Sequence, residues 1–319
     1  YDDQSTPATG QRLYEKLITE DKVDVVMGPY SSAISEAVAN VTEKYRKVMV
    51  APLAATTSIF KKGRKYIFMV ISPAEVYLEG LVDIATKRGL KTIAIVNEDT
   101  LFPKTAANGT AEFAKKRGLQ IVLQEAYPKG NTDFSALLTK IKAANPDVIA
   151  ASTYFDDAVA LTRQMKELNV TPKMFGVTVG GDLPEFYDLL KQNAEYIYGA
   201  TQWEPTLPYP GQKEFMAGYQ KKFNHEPSYH AAAGYAGCAL YLDAVKRAGT
   251  LDADKVRDQL LKLETRTMLG DYKVDADGFQ LAHKMVLFQW QDGKKVTVWP
   301  DDLAAGGKVR FPTPPWNQR

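Results

Sequence analysis

The strongest limit on what this chain can fold into is its rhythm of short apolar runs and amphipathic helical segments. Runs short enough for buried strands occur at 23–27, 48–50, 67–71, 92–96, 120–123, 148–152, 174–177 and 197–201. The segments "KTAANGTAEFAKKRG", "DFSALLTKIKAAN" and "DDAVALTRQMKELN" carry apolar residues at helical spacing. They stop near Gly118, Asn145-Pro146 and Asn169, residues that end helices well. Buried strands alternating with helices predict a parallel sheet covered on both faces, an α/β fold of the doubly wound, Rossmann-like kind.

With 319 residues the chain exceeds what one core usually spans, so two lobes are expected. Residues 92–201 hold a complete five-strand unit, whereas residues 1–71 hold only part of one. Three helices without intervening strands follow, at 211–223, 229–249 and 252–264. They come home if the chain leaves lobe one near Ser72-Pro73, builds lobe two, and returns near Trp203-Glu204-Pro205. The segment 270–300 then alternates like antiparallel strands, with turns at Asp277-Gly278 and Asp292-Gly293, and crosses once more. The expected division is 1–72 and 205–268 for lobe one, 73–204 and 269–300 for lobe two, and a tail at 301–319, with a hinge of three crossings. The opening "YDDQSTP" reads as the end of a strand and a helix start, as if a preceding βα unit of roughly 30 residues were absent.

Composition excludes several classes. Forty basic against 38 acidic residues leave a net charge of +2 with no long like-charged run, so no nucleic-acid face is expected. No apolar stretch reaches membrane-spanning length. Cys238 is the only cysteine, which rules out an internal disulfide and a cysteine metal cluster. Nucleophile-elbow, phosphate-loop and dinucleotide fingerprints are missing, and no cofactor is expected. "HEPSYH" at 225–230 imitates a zinc string, but Pro227 breaks the helix its histidines would need to share. His283 stands alone and reads as structural. Asp2-Asp3 and Asp156-Asp157 sit where aspartates usually cap helices. The N-x-[ST] triplets at Asn40, Asn108 and Asn169 match a pattern common by chance.

Two strand–helix junctions invite a functional reading. "VVMGPYSSA" breaks at Gly28-Pro29 and enters a helix through Ser31 and Ser32; "APLAATT" offers Ala54, Ala55 and Thr56 after Pro52. Together with "DDQSTP", "GNTDFSALLTKIKAANPDVI", "YFDDAVALTRQMKELN", "GATQWEP" and "GYAGCALYLDAVKRAGTLDADKVRDQL", they resemble the type I periplasmic solute-binding proteins of ABC importers, in the leucine/isoleucine/valine-binding branch. The resemblance runs along the whole chain. It implies a periplasmic, monomeric, non-enzymatic receptor that closes two lobes on a small carboxylate ligand and presents it to a membrane permease. A sensor domain of the same fold is the nearer alternative; an enzyme using Asp156 or Asp157 is the remoter one.

The resemblance also implies a site. Ser32, Ala54 and Thr56, with Ser31 and Ala55 beside them, would hold the carboxylate, since helix-start amides and hydroxyls receive anions well. From lobe two, Phe102, Tyr154 or Phe155 would supply aromatic contacts, and Trp203 would either line the cleft or pack. Phe102-Pro103 replaces the usual Tyr-Gly. At position 178 the family's amino-acid binders place a carboxylate for the ligand's ammonium, and here that residue is Thr178. A buried ammonium without a counter-charge costs several kcal/mol, against about 8 kcal/mol for a micromolar ligand. Unless Asp182, Asp156 or Glu204 substitutes, the ligand is expected to be an aromatic or other organic acid.

Overall fold

The computed structural model describes residues 1–319 and divides them into two compact units. Unit 1 comprises Tyr1–Pro73 and Gln202–Lys284; unit 2 comprises Ala74–Thr201 and Met285–Arg319.

The first part of unit 1 runs α1 (Pro7–Thr19), β1 (Val26–Met27), α2 (Ser32–Lys44), β2 (Met49–Ala51), α3 (Thr57–Phe60) and β3 (Ile67–Met69). Its strands form a parallel sheet in the order β1-β2-β3, with Val26 opposite Met49 and Met49 opposite Ile67. Pro7 starts α1 where its missing N–H costs nothing.

Unit 2 begins with α4 (Glu79–Lys87), β4 (Thr92–Glu98), α5 (Leu101–Lys116), β5 (Gln120–Tyr127) and α6 (Ser135–Ala144). It continues with β6 (Val148–Ser152), α7 (Phe155–Glu167), β7 (Met174–Val177), α8 (Pro184–Leu190) and β8 (Tyr198–Thr201). Asn145 ends α6 in the left-handed conformation ahead of Pro146. The chain then returns to unit 1 for α9 (Gln212–Phe223), α10 (Tyr229–Ala248), α11 (Ala253–Lys262) and the small antiparallel pair β9 (Thr265–Arg266) and β10 (Asp271–Tyr272). Gly249 closes α10, and Asp252 caps α11 by accepting the Lys255 N–H at 3.0 Å. The Tyr241 hydroxyl donates to the Val48 carbonyl at 2.6 Å, tying α10 to β2.

Strands β11 (Val286–Gln291) and β12 (Lys294–Trp299) complete unit 2, giving a seven-stranded sheet ordered β12-β11-β8-β7-β6-β4-β5. From β8 to β5 every pair is parallel; β11 runs antiparallel to both of its neighbours. The β11–β12 hairpin turns through Asp292 and Gly293, both at positive φ, as a two-residue turn requires. Glu195 accepts both of their N–H groups.

The first crossing falls one residue later than the sequence reading, at Pro73–Ala74, and the other two differ by more. The return to unit 1 falls at Thr201–Gln202, so Trp203 and Glu204 belong to unit 1. The third crossing falls at Lys284–Met285 rather than at 268/269. Residues 270–284 stay with unit 1 because they extend the β3 edge. The Met69 N–H donates to the Gly278 carbonyl at 2.8 Å, and the Gln280 amide to the Val70 carbonyl at 2.9 Å. The tail after β12 belongs to unit 2, where the Trp316 indole N–H donates to the Val170 carbonyl at 2.8 Å.

Candidate functional site

In unit 1, β1 ends at Gly28, whose N–H donates to the Val50 carbonyl at 2.7 Å. A Cβ on Gly28 would lie 2.9 Å from the Ala51 Cα, so glycine lets the two strand ends approach. The chain then enters α2 with Ser31 at the N-cap, yet the Ser31 hydroxyl makes no capping bond. Ser32 is buried, and its Oγ accepts the Ala55 N–H at 3.3 Å, joining the two strand–helix junctions. Ala54 and Ala55 are fully buried. Thr56 is 1% exposed, and its Oγ1 has no hydrogen-bond partner. A buried hydroxyl without a partner is uncommon and costly, which marks this junction as a place for a ligand or an ordered water. Trp203 is buried edge-on against Phe215, ring centres 5.8 Å apart.

In unit 2 the sheet order reverses between β4 and β6, the switch point at which open α/β sheets bind ligands. Phe102, in the first turn of α5, stands edge-on to Tyr77 with ring centres 5.0 Å apart, and 5.8 Å from the Tyr154 ring. Tyr154 begins α7, and Phe155 behind it packs on the unit 2 core. Gly180 lies so close that a Cβ there would be 2.5 Å from the Phe155 Cα.

Polar groups support this aromatic wall. Asp157 accepts the Tyr154 N–H at 2.7 Å on one oxygen and the Tyr127 hydroxyl on the other. Burial, opposed by the Tyr127 bond and reinforced by the Glu98 charge, pushes the Asp157 carboxyl up to about 6. Glu98, at the end of β4, is buried and accepts the Thr100 hydroxyl at 2.7 Å. Burial first, and then Glu98, pushes the Tyr154 phenol up. Tyr127→Phe is expected to cost about 2 kcal/mol at pH 8, because a charged acceptor loses its donor. The cost should shrink at pH 5, where Asp157 is protonated, and urea unfolding at the two pH values measures both. Equal losses would refute the coupling.

Thr178 is fully buried. Its hydroxyl donates to the Thr153 carbonyl at 3.0 Å and accepts the Thr153 N–H at 2.9 Å, so both roles are occupied within unit 2. Of the possible substitutes for a carboxylate there, Asp156 is exposed, Glu204 is buried in unit 1, and Asp182 is buried beyond β7. Phe102 and Tyr154 are thus brought together, as are Ser32, Ala55 and Thr56. The sequence reading did not select Tyr77, Glu98 or Tyr127. Only the acidic end of β4, "NEDT", carried a local signal; the tyrosines reach the site through tertiary packing.

Residues 1–295 match the family model of the periplasmic binding proteins. The chain belongs to that family. Membership places it in the periplasm, in a family of ligand-binding receptors. This family member is 28% identical over 316 residues to the Leu/Ile/Val-binding protein homolog 7 of Brucella suis, covering 93% of this chain and 79% of that one. Its fold superposes on the leucine-binding protein LivK of Thermotoga maritima with a TM-score of 0.86 and 24% identity, over 95% of this chain and 87% of that one. It also superposes on a solute-binding protein of an ABC transporter from Rhodopseudomonas palustris, solved with 3,4-dihydroxybenzoic acid. That TM-score is 0.80 at 24% identity, over 92% and 82% of the two chains.

Proposed function

We propose that this protein is the solute-binding receptor of an ABC importer and that its ligand is a small aromatic acid. The unit 1 junctions at Ser31, Ser32 and Ala54–Thr56 receive the carboxylate, and the Tyr77–Phe102–Tyr154 wall of unit 2 contacts the ring. Trp203 serves packing within unit 1 in this reading. The carrying observation is Thr178: at the position where the sequence resemblance implies a carboxylate for an ammonium stands a neutral residue whose hydroxyl is already bonded to the Thr153 N–H and carbonyl. The Rhodopseudomonas relative, solved with a dihydroxybenzoic acid, supports the ligand class.

Glu98 and Asp157 favour a second reading, in which they receive an ammonium and the ligand is an aliphatic amino acid like that of the leucine-binding relative. Thermal unfolding against benzoate, 4-hydroxybenzoate, leucine and valine separates the two. Under the first reading the midpoint rises with the logarithm of the aromatic acid concentration and not with leucine or valine. A rise with the aliphatic amino acids alone overturns it in favour of the second. The protein acts as a monomer that delivers its cargo to a membrane permease, and no turnover of the ligand is expected.

A further inference from the structure

The charges acting on the aromatic wall of unit 2 have one sign. Glu98 acts on Tyr127, Tyr154 and Asp157, and Asp157 acts in turn on both tyrosines. The hydrogen bonds these two carboxylates accept come from neutral donors: the Thr100 hydroxyl for Glu98, and the Tyr127 hydroxyl and Tyr154 N–H for Asp157. Glu98 retains accepting capacity beyond that single bond. The unit 1 junctions present a different chemistry, with the buried, unpartnered Thr56 hydroxyl beside Ser32 and Ala55. Such neutral donors suit one carboxylate, and none of them is a cation that could hold a second.

We infer that the receptor selects monocarboxylates against dicarboxylates, and that Glu98, backed by Asp157, is the residue that enforces the choice. This rests on the proposed ligand reading and refines it, and it applies whether the cargo is an aromatic acid or an amino acid. A ligand hydroxyl or ammonium near Glu98 would find an acceptor. A second carboxylate there would meet two like charges in a low-dielectric setting, where Coulomb repulsion is screened little.

The test is calorimetric titration of the full chain at pH 8, where Asp157 is ionised, with 4-hydroxybenzoate and terephthalate, and with leucine and glutamate as the amino-acid pair. Terephthalate is expected to bind at least about a hundredfold more weakly than 4-hydroxybenzoate. Glu98→Gln preserves shape and removes the charge, and it should narrow that ratio about tenfold. Asp157→Asn should narrow it in the same direction, and supplies the test if Glu98→Gln does not fold. Equal binding of both members of a pair by the unaltered protein overturns this inference and leaves the ligand reading standing. So does a ratio unchanged in a folded variant, which would assign the discrimination to shape. Binding of none of the four compounds overturns the ligand reading, and this inference with it.

Discussion

Gly278→Ala is expected to destabilise the protein by about 4 kcal/mol, combining a strained backbone with an overpacked contact. Gly278 adopts φ +72°, and a Cβ there would lie 2.1 Å from the Ile67 carbonyl oxygen and 3.3 Å from the Phe68 ring. The first obstacle is backbone of β3, so it cannot rotate away as a side chain would. Relief requires the 275–279 turn to lift off β3, and that breaks the bond from the Met69 N–H to the Gly278 carbonyl. Gly63→Ala is the control. Its φ is +74°, but nothing lies within 4 Å of the added methyl, so it should lose only the conformational part, about 1 kcal/mol. Urea unfolding of both variants, with slopes compared to confirm that the unfolded states match, measures the difference. Equal losses would mean that the turn yields freely and does not hold 270–284 to unit 1.

That turn also shows where sequence reading reaches its limit. The central strands of unit 2 were legible because they are buried apolar runs, and β6 and β7 appear with the expected bounds. Strand β5 runs on to Tyr127, past the expected end at 123, because it lies at the sheet edge. There, the consecutive polar residues Gln124 and Glu125 interrupt the apolar run and dilute its signal. The third crossing was misplaced for a related reason: an alternating polar segment fits the edge of either sheet. Only the long-range bonds of Gly278 and Gln280 to β3 decide between them.

The candidate site was legible in proportion to how local its chemistry is. Gly28, Ser32 and Thr56 announce themselves because strand-to-helix turns need small residues and hydroxyls. Tyr127 and Asp157 are thirty residues apart, and nothing in either neighbourhood points to the other. Thr178 stood out in the sequence because the resemblance implies a carboxylate at that position. Its two hydrogen bonds to the Thr153 backbone, one accepted and one donated, belong to tertiary geometry.

Asp182→Asn is expected to gain stability relative to the unaltered protein as pH rises from about 4 to about 6, by up to about 3 kcal/mol in total, and to hold that gain above pH 6. Asp182 is 1% exposed, and neither of its carboxylate oxygens has a hydrogen-bond partner. Burial raises its carboxyl from 3.8 to about 6; the attraction of Lys295 and the nearby amides of Gly180 and Asp182 offset only part of that. Between those two values the folded chain holds a proton that the unfolded chain has released. Folding stability therefore falls through this window as pH rises and is level above it. Asparagine cannot ionise, so the variant escapes the loss. An unbonded amide has a burial cost of its own, but that cost is independent of pH and shifts the whole curve without changing its shape. Burial lowers His230 and His283 to about 4, which slopes stability the opposite way, and Asp157 slopes it the same way. All three are common to both proteins and cancel in the difference. Urea unfolding at half-unit steps from pH 4 to pH 8 gives that difference directly. Parallel curves would show that Asp182 ionises without penalty, through a water or a movement of the 178–183 loop. The carboxylate would then be free to serve a ligand's ammonium, and the aromatic-acid reading would lose the support it draws from Thr178.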